Sequence, residues 1–330
     1  MGTVLTGSAL LGGFSRNLVA QSLDPPELRP PIRVGPTRAV RTISEAARLA
    51  AAGVAIEVDA GVYAADVAVW ERDGVTVRAV GGRVRLLANG AAAEGKGIWV
   101  ARASDMTVQG FDFEGAKVPD RNGAGIRLDK GSLRVTDCRF LHNEMGLLTN
   151  NDPTTVLEVE NCEFAYNMRP DGHNHNLYAG RIARLSVRGS YFHHARTGHL
   201  LKSRAALSQI FHNRLIDGAG GTASYELEFP NGGVAHVVGN TIAQNLHTEN
   251  SQLISFGAEG YKWPRNEINL EGNTLINPLP RGGVFLRVAP GADFIRAVNN
   301  RLVGNGTLEA AGKGEYRNNS RQTHPTTGED

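Results

Sequence analysis

Cysteine is nearly absent from this 330-residue chain: Cys138 and Cys162 are the only two. A pair cannot staple a small disulfide-framed domain, so stability has to come from a packed core. No stretch approaches 18 consecutive apolar residues, which excludes a membrane-spanning helix and predicts a chain with no membrane span. Aromatics are scarce, with 11 Phe, 7 Tyr and 3 Trp. Neither sign of charge dominates: 35 Lys+Arg against 33 Asp+Glu leave +2, without a long single-sign block. That balance argues against a nucleic-acid partner, whose binder would carry a basic stripe. Abundance lies elsewhere, in 40 Gly and 24 Asn, and 22 of those Asn fall at or beyond Asn122. Turns must therefore crowd the last two-thirds of the chain.

Residues 1–21 contain a short apolar run, Val4 to Phe14, and a small-residue end at Leu18-Val19-Ala20. A basic start is missing, so the segment reads as the remnant of an export signal and points to a secreted or periplasmic protein. Residues 22–40 hold Pro25, Pro26, Pro30, Pro31 and Pro36 and read as a linker or strap. A helix over 42–52 follows, because Thr42 and Glu45 have capping-box spacing, Ile43, Ala46, Ala47 and Ala50 recur at helical intervals, and Gly53 stops the run. Residues 319–330 read as a flexible tail.

Between these ends one phrase recurs: a turn residue, a small or polar residue, any residue, then a large apolar one. Its last members are Phe113, Phe140, Phe164, Phe192, Leu215, Ile242, Leu275 and Leu302, separated by 27, 24, 28, 23, 27, 33 and 27 residues. Each phrase follows an alternating strand such as Leu157-Glu158-Val159-Glu160. A propeller blade needs about 40 to 45 residues, so the period instead fits a stack of short-stranded coils. Cys138 and Cys162 hold the same place in successive phrases and should stack about 4.8 Å apart. A ladder of small buried side chains is their expected role, and a disulfide the alternative. Asn213, Asn240, Asn273 and Asn300 would continue it as an asparagine ladder.

The cap sequence Arg41 to Ala47, followed by Gly53, Ile56, Val58, Gly61 and Tyr63, together with the eight phrases, resembles the pectate-lyase-like right-handed parallel β-helix superfamily. The resemblance implies an all-β fold, a single solenoid of about ten coils over residues 41–318 with an N-terminal capping helix. It says little of function, because the fold hosts lyases, hydrolases, epimerases, esterases and phage fibres.

Three successive coils concentrate the chemistry. One carries His173, His175 and Tyr178, the next His199, Lys202 and Arg204, the third Tyr225, Glu226 and Glu228. His175 to His199 is 24 residues and Lys202 to Glu228 is 26, each close to one coil. Period-two alternation predicts that Glu226 and Glu228 share an outward face around an inward Leu227. The plain reading of such residues is a solvated surface; their concentration in three coils favours a site.

The stretch Gly198 to Arg204, with Ile210 to Asn213, resembles a coil of alginate-lyase and chondroitinase-B-type polysaccharide lyases, and also of alginate C5-epimerases. That resemblance implies proton abstraction next to a uronate carboxyl, with Lys202 as base, His175 or His199 protonating the leaving oxygen, and Arg204 or a cation neutralising the uronate. The sequence departs from the lyase pattern one coil on, where Glu226 and Glu228 stand in place of an Arg. A glycoside hydrolase using Glu226 and Glu228 is the alternative, followed by an epimerase and a non-catalytic polysaccharide-binding solenoid. Asn150, Trp263 and Arg287 are further candidates for substrate contact, Trp263 as a stacking ring or equally as a loop anchor. No cofactor is required by these residues. Calcium is what the resemblance allows, with Asn150, Asn151, Asp152 and Asp171 as oxygen donors, and zinc on His173, His175 and His199 is the weaker idea. The expected partner is a polysaccharide, and the chain is expected to act as a monomer.

Overall fold

The computed structural model describes residues 1–3, 29–169, 171–308 and 312–322. The export-signal segment beyond its first three residues and residues 22–28 of the proline-rich strap lie outside them. The described chain winds into a parallel β-solenoid of about ten coils with one helix. Two sheets carry it, one of 21 strands and one of nine, and every strand pairing is parallel. A typical coil runs through Met145–Thr149 in the nine-stranded sheet, then Val156–Glu160 and Glu163–Ala165 in the larger one. Among the described residues no helix is long and apolar enough to cross a membrane.

The recurring phrase is the corner between the two strands of the larger sheet. Its first residue takes a left-handed φ on coil after coil, at Gly110, Asp137, Asn161, Gly189, His212, Gly239, Gly272 and Asn299. Glycine and the short polar side chains tolerate that conformation best, which is why the composition is rich in them. The last residue points inward. Phe113, Phe140, Phe164 and Phe192 stack with centroids 5.0, 4.6 and 4.7 Å apart, and Leu215, Ile242, Leu275 and Leu302 continue the row in register.

The second residue forms one continuous ladder. Each backbone N–H donates to the side chain one coil further on: Cys138 to Cys162 Sγ, Cys162 to Ser190 Oγ, and Ser190 to Asn213 Oδ1. Asn213, Asn240, Asn273 and Asn300 carry it on to Asn319. The buried turn N–H groups are thus satisfied from within the stack. Both cysteines are free thiols in this ladder, and burial pushes Cys162 up to about 12.

The capping helix spans Ile43–Leu49, three residues shorter at its end than the periodicity suggests. Thr42 accepts from the Glu45 N–H, and Asp66 accepts from the N–H groups of Ile43 and Ser44, so three first-turn donors are met. Its Ile43 and Ala46 close the core beneath it. The stack begins earlier than the cap implies, since Ile32–Val34, inside the strap, pairs with Ile56–Val58. It also ends later: Ser320–Gln322 pairs with Arg301–Val303, so this part of the expected tail is a strand.

Candidate functional site

The nine-stranded sheet positions the chemistry. Its in-register rows are His175, His199 and Tyr225, then Leu177, Leu201 and Leu227, then Tyr178, Lys202 and Glu228. Leu177, Leu201 and Leu227 are core residues, as are Leu200 and Leu253 on the row between them and the histidines. Two consecutive inward positions therefore separate the outer rows, which stand three residues apart instead of two. Ala124, Met145, Leu148 and Tyr178 form a small apolar cluster of their own on this outer face, apart from the main core.

That spacing corrects the reading of Glu226. Its position matches Leu200 and Leu253, so its side chain is fully buried in the solenoid, and both carboxyl oxygens lack a hydrogen-bond partner. Glu228 alone stands on the outer face. The two glutamates are not a catalytic pair, because the inward doublet turns one of them away.

On the outer face Lys202, His199 and Glu228 come together. Glu228 Oε2 lies 2.9 Å from Lys202 Nζ and 3.1 Å from His199 Nδ1. Both approaches are short but poorly aligned as hydrogen bonds. Burial works against the Glu228 charge, yet His199 and Lys202 hold its carboxyl below the usual range. His199 is lowered from 6.5 by burial, with Glu228 acting in the opposite direction. With Nδ1 turned to the carboxylate, the neutral ring presents its lone pair at Nε2. His175 lies one coil back, its centroid 4.6 Å from that of His199. Its Nδ1 accepts the His199 backbone N–H, which leaves Nε2 as a donor. Burial, and then the neighbouring His199, Lys202, Arg204 and His173, keep it well below 6.5.

Glu259, absent from the sequence reading, completes the arrangement. Arg204 grips it through two nitrogens, at 2.8 and 2.6 Å, and Lys202 Nζ donates to it at 3.2 Å. Arg204 also donates to Tyr178 Oη at 2.8 Å and to Asn231 Oδ1 at 2.6 Å, so the guanidinium plane is fixed. The Arg204 hydrogen bonds keep the Glu259 carboxyl below the usual range. Glu259 belongs to the longest coil, on a loop pinned by Tyr261 Oη donating to the Ala289 carbonyl and Trp263 Nε1 donating to the Arg204 carbonyl. Trp263 is therefore tied down as a loop anchor, half-buried.

Other candidates lie apart from this centre. His173 is exposed, at a left-handed φ, on a separate cleft of about 340 Å³ with Arg169, Asp171 and Arg196. Asn150 is spent on Arg127 and Asp129, one coil behind His175. Tyr225 packs its ring edge-on to His199 at 5.1 Å. Arg287 is on the Lys202 row, three coils further.

The oxygens offered to calcium do not fit a metal. Asn151 Oδ1 accepts the Arg181 N–H, Asp152 accepts from Thr154, and Asp171 is paired with Arg169 and Arg121. Among the described residues no group of three or more His, Cys, Asp or Glu could hold an ion, so His173, His175 and His199 do not converge on a zinc site either.

No protein-family model matches the sequence, and comparison with curated proteins finds no match. Among solved structures the chain is similar to the pectate lyase Pel9A, with a TM-score of 0.56 at 14% identity over 91% of this chain and 82% of that one. It is also similar to the Dettilon tailspike protein, with a TM-score of 0.37 at 15% identity over 80% and 62%. Identities this low speak to architecture alone. Together with the parallel pairing and the turn ladder, the match to Pel9A shows that this chain has a pectate-lyase-like parallel β-helix fold.

Proposed function

We propose that the chain is a secreted or periplasmic polysaccharide lyase that cleaves a uronate-containing polysaccharide by β-elimination. One observation carries the reading. Arg204 and Lys202 form a ready-made carboxylate clamp, occupied in the resting protein by Glu259, beside a histidine pair kept neutral by burial. The forked, bidentate grip is the geometry that recognises a planar carboxylate. A uronate carboxylate taking the place of Glu259 would have its charge neutralised by Arg204, which acidifies the adjacent C–H. Lys202 Nζ, released from Glu259, first gives its own proton to solvent and, as the neutral amine, then takes the proton from that C–H. The C–O bond to the leaving sugar breaks as the C=C bond forms, and His175 Nε2–H returns a proton to the leaving oxygen. Glu228 orients His199 and balances the charge on Lys202.

Incubation with a panel of acidic polysaccharides tests this. The expected result is new ultraviolet absorbance from an unsaturated uronide, with reducing ends appearing in step. Reducing ends without absorbance would replace elimination by hydrolysis. The second reading then rests on Glu228 and Glu259, which flank Lys202 Nζ at 2.9 and 3.2 Å, and not on Glu226. Altered uronate stereochemistry without cleavage would indicate an epimerase, and binding without turnover a non-catalytic module.

The side chain of Glu259 is 45% exposed, so its grip on the clamp is loose enough to be displaced. Glu259→Gln is expected to lower KM for the acidic polymer about fivefold with little change in kcat, since a competing charge is removed. Steady-state kinetics check this. A raised KM would instead make Glu259 a substrate contact.

A further inference from the structure

One cation of the outer face is left uncommitted. On the row that runs Tyr178, Lys202, Glu228, Ser255, Arg287, the lysine is engaged by Glu228 and Glu259. Arg287 is exposed and has no ion pair or side-chain hydrogen bond among the described residues. It borders a cleft of about 470 Å³ whose other walls include Tyr225, Gln252, Ser255, Ala258 and Pro290. Two polar atoms there are buried without a partner. Ser255 Oγ belongs to a residue only 1% exposed, and Gln252 Oε1 is shielded likewise. Buried polar atoms are ordinarily satisfied, so orphans lining a cleft beside a free guanidinium mark a place where a polar ligand completes the structure.

We propose that this cleft is a carboxylate subsite of the same groove, taking a uronate residue about three coils, or roughly 14 Å, from Lys202. The inference rests on the acidic-polysaccharide reading and adds to it a second carboxylate contact and a residue that sets specificity. Arg287 receives the carboxylate through its fork, Ser255 Oγ donates to it or to a ring hydroxyl, and Gln252 Oε1 accepts from a hydroxyl. Ala258 and Pro290 line the same cleft, whose volume of about 470 Å³ admits a sugar ring. The cleft carries no acidic lining residue, whereas Glu228 and Glu259 crowd the Lys202 centre. An incoming polyanion therefore meets net positive charge first at Arg287.

Two measurements on the full chain test it. In the first, Arg287 Nε–H resonances are followed as galacturonate, glucuronate or mannuronate, and then their methyl esters, are added. One or more free acids should shift the signal and the esters should not; no shift with any acid, or equal shifts with esters, overturns the subsite. In the second, kcat/KM is compared for wild type and Arg287→Ala as the acidic oligosaccharide is lengthened. A loss of about ten- to a hundredfold is expected on polymer, through KM, and none on the shortest cleaved oligomer, with Arg287→Lys intermediate. An equal loss at every length would mean a general structural effect and overturn the proposal. The reading beneath it fails separately: if no acidic polymer is turned over by wild type, elimination is wrong, while the resonance titration still decides whether Arg287 binds carboxylates.

Discussion

Replacing Lys202 by alanine is expected to lower kcat for elimination by about 10²- to 10⁴-fold, the usual worth of a positioned acid or base. The fold should persist, because Lys202 lies on the outer face and its row neighbours Tyr178 and Glu228 belong to strands held by backbone pairing. Lys202→Arg separates two roles. Arginine keeps the positive charge between Glu228 and Glu259 but does not give up its proton, so a loss as deep as in alanine identifies Lys202 as the base. Substantial recovery would assign Lys202 to charge neutralisation and pass the base role to His199, whose Nδ1 already faces Glu228 at 3.1 Å. The pH profile adds a second check. His199 protonates below 6.5, so wild-type activity should hold through pH 7 and fall only on the acid side of 6.5. Glu228 is the partner that raises His199, and Glu228→Gln should therefore move that acid limb to still lower pH. A limb that moves upward would exclude His199 as its source.

The fold was written locally, and the site was not. The corner phrases carry their own reasons: a residue that accepts a left-handed φ, a small hydrogen-bonding residue, a large inward one. Each is a demand of a single turn, so Cys138 to Asn300 could be placed on one ladder from sequence. Register on the nine-stranded sheet was legible only in part. The 24-residue step from His175 to His199 also sets Leu177 beside Leu201, as observed, but strict alternation does not allow for the two consecutive residues that face inward on this strand. A doublet of that kind costs no recognisable residue, and leucines at both positions hide it. The same doublet sends Glu226 inward, which a period of two could not foresee. Glu259 was invisible for another reason: it reaches Lys202 from 57 residues away, on a loop whose path depends on Tyr261 and Trp263 being tied down. The 33-residue step from Ile242 to Leu275 is the signal available in sequence, and it does not single out Glu259 from Trp263 four residues on.

Glu226 should make the protein less stable as pH rises from acid toward neutrality, the reverse of the effect of its ion-paired carboxylates. Its oxygens are unpartnered in the core, and burial, with Asp217 nearby, holds its carboxyl well above the ordinary 4.5. Asp217 itself is pushed up to about 6 by burial, although both its oxygens accept backbone N–H groups, from Ala195 and Ala223. A carboxyl raised in the folded state keeps its full stability below the unfolded value and loses it as pH climbs through the folded one. For Asp217 the window runs from its ordinary 3.8 to about 6 and is worth about 3 kcal/mol. Glu226 extends the loss to higher pH. The two N–H groups aimed at Asp217 suit a carboxylate, so the proton belongs on Glu226, where a neutral side chain costs least. Glu226→Gln should then leave stability at acid pH near wild type and flatten the decline above it. Glu226→Leu, continuing the row of Leu200 and Leu253, should raise stability at neutral pH by about 1–3 kcal/mol. Denaturant unfolding of wild type and both variants between pH 4 and 8 reads the difference directly, with ion pairs common to all three cancelling. If the three curves run parallel, Glu226 is ionised or solvated in the folded protein and the interior carboxyl does not govern stability.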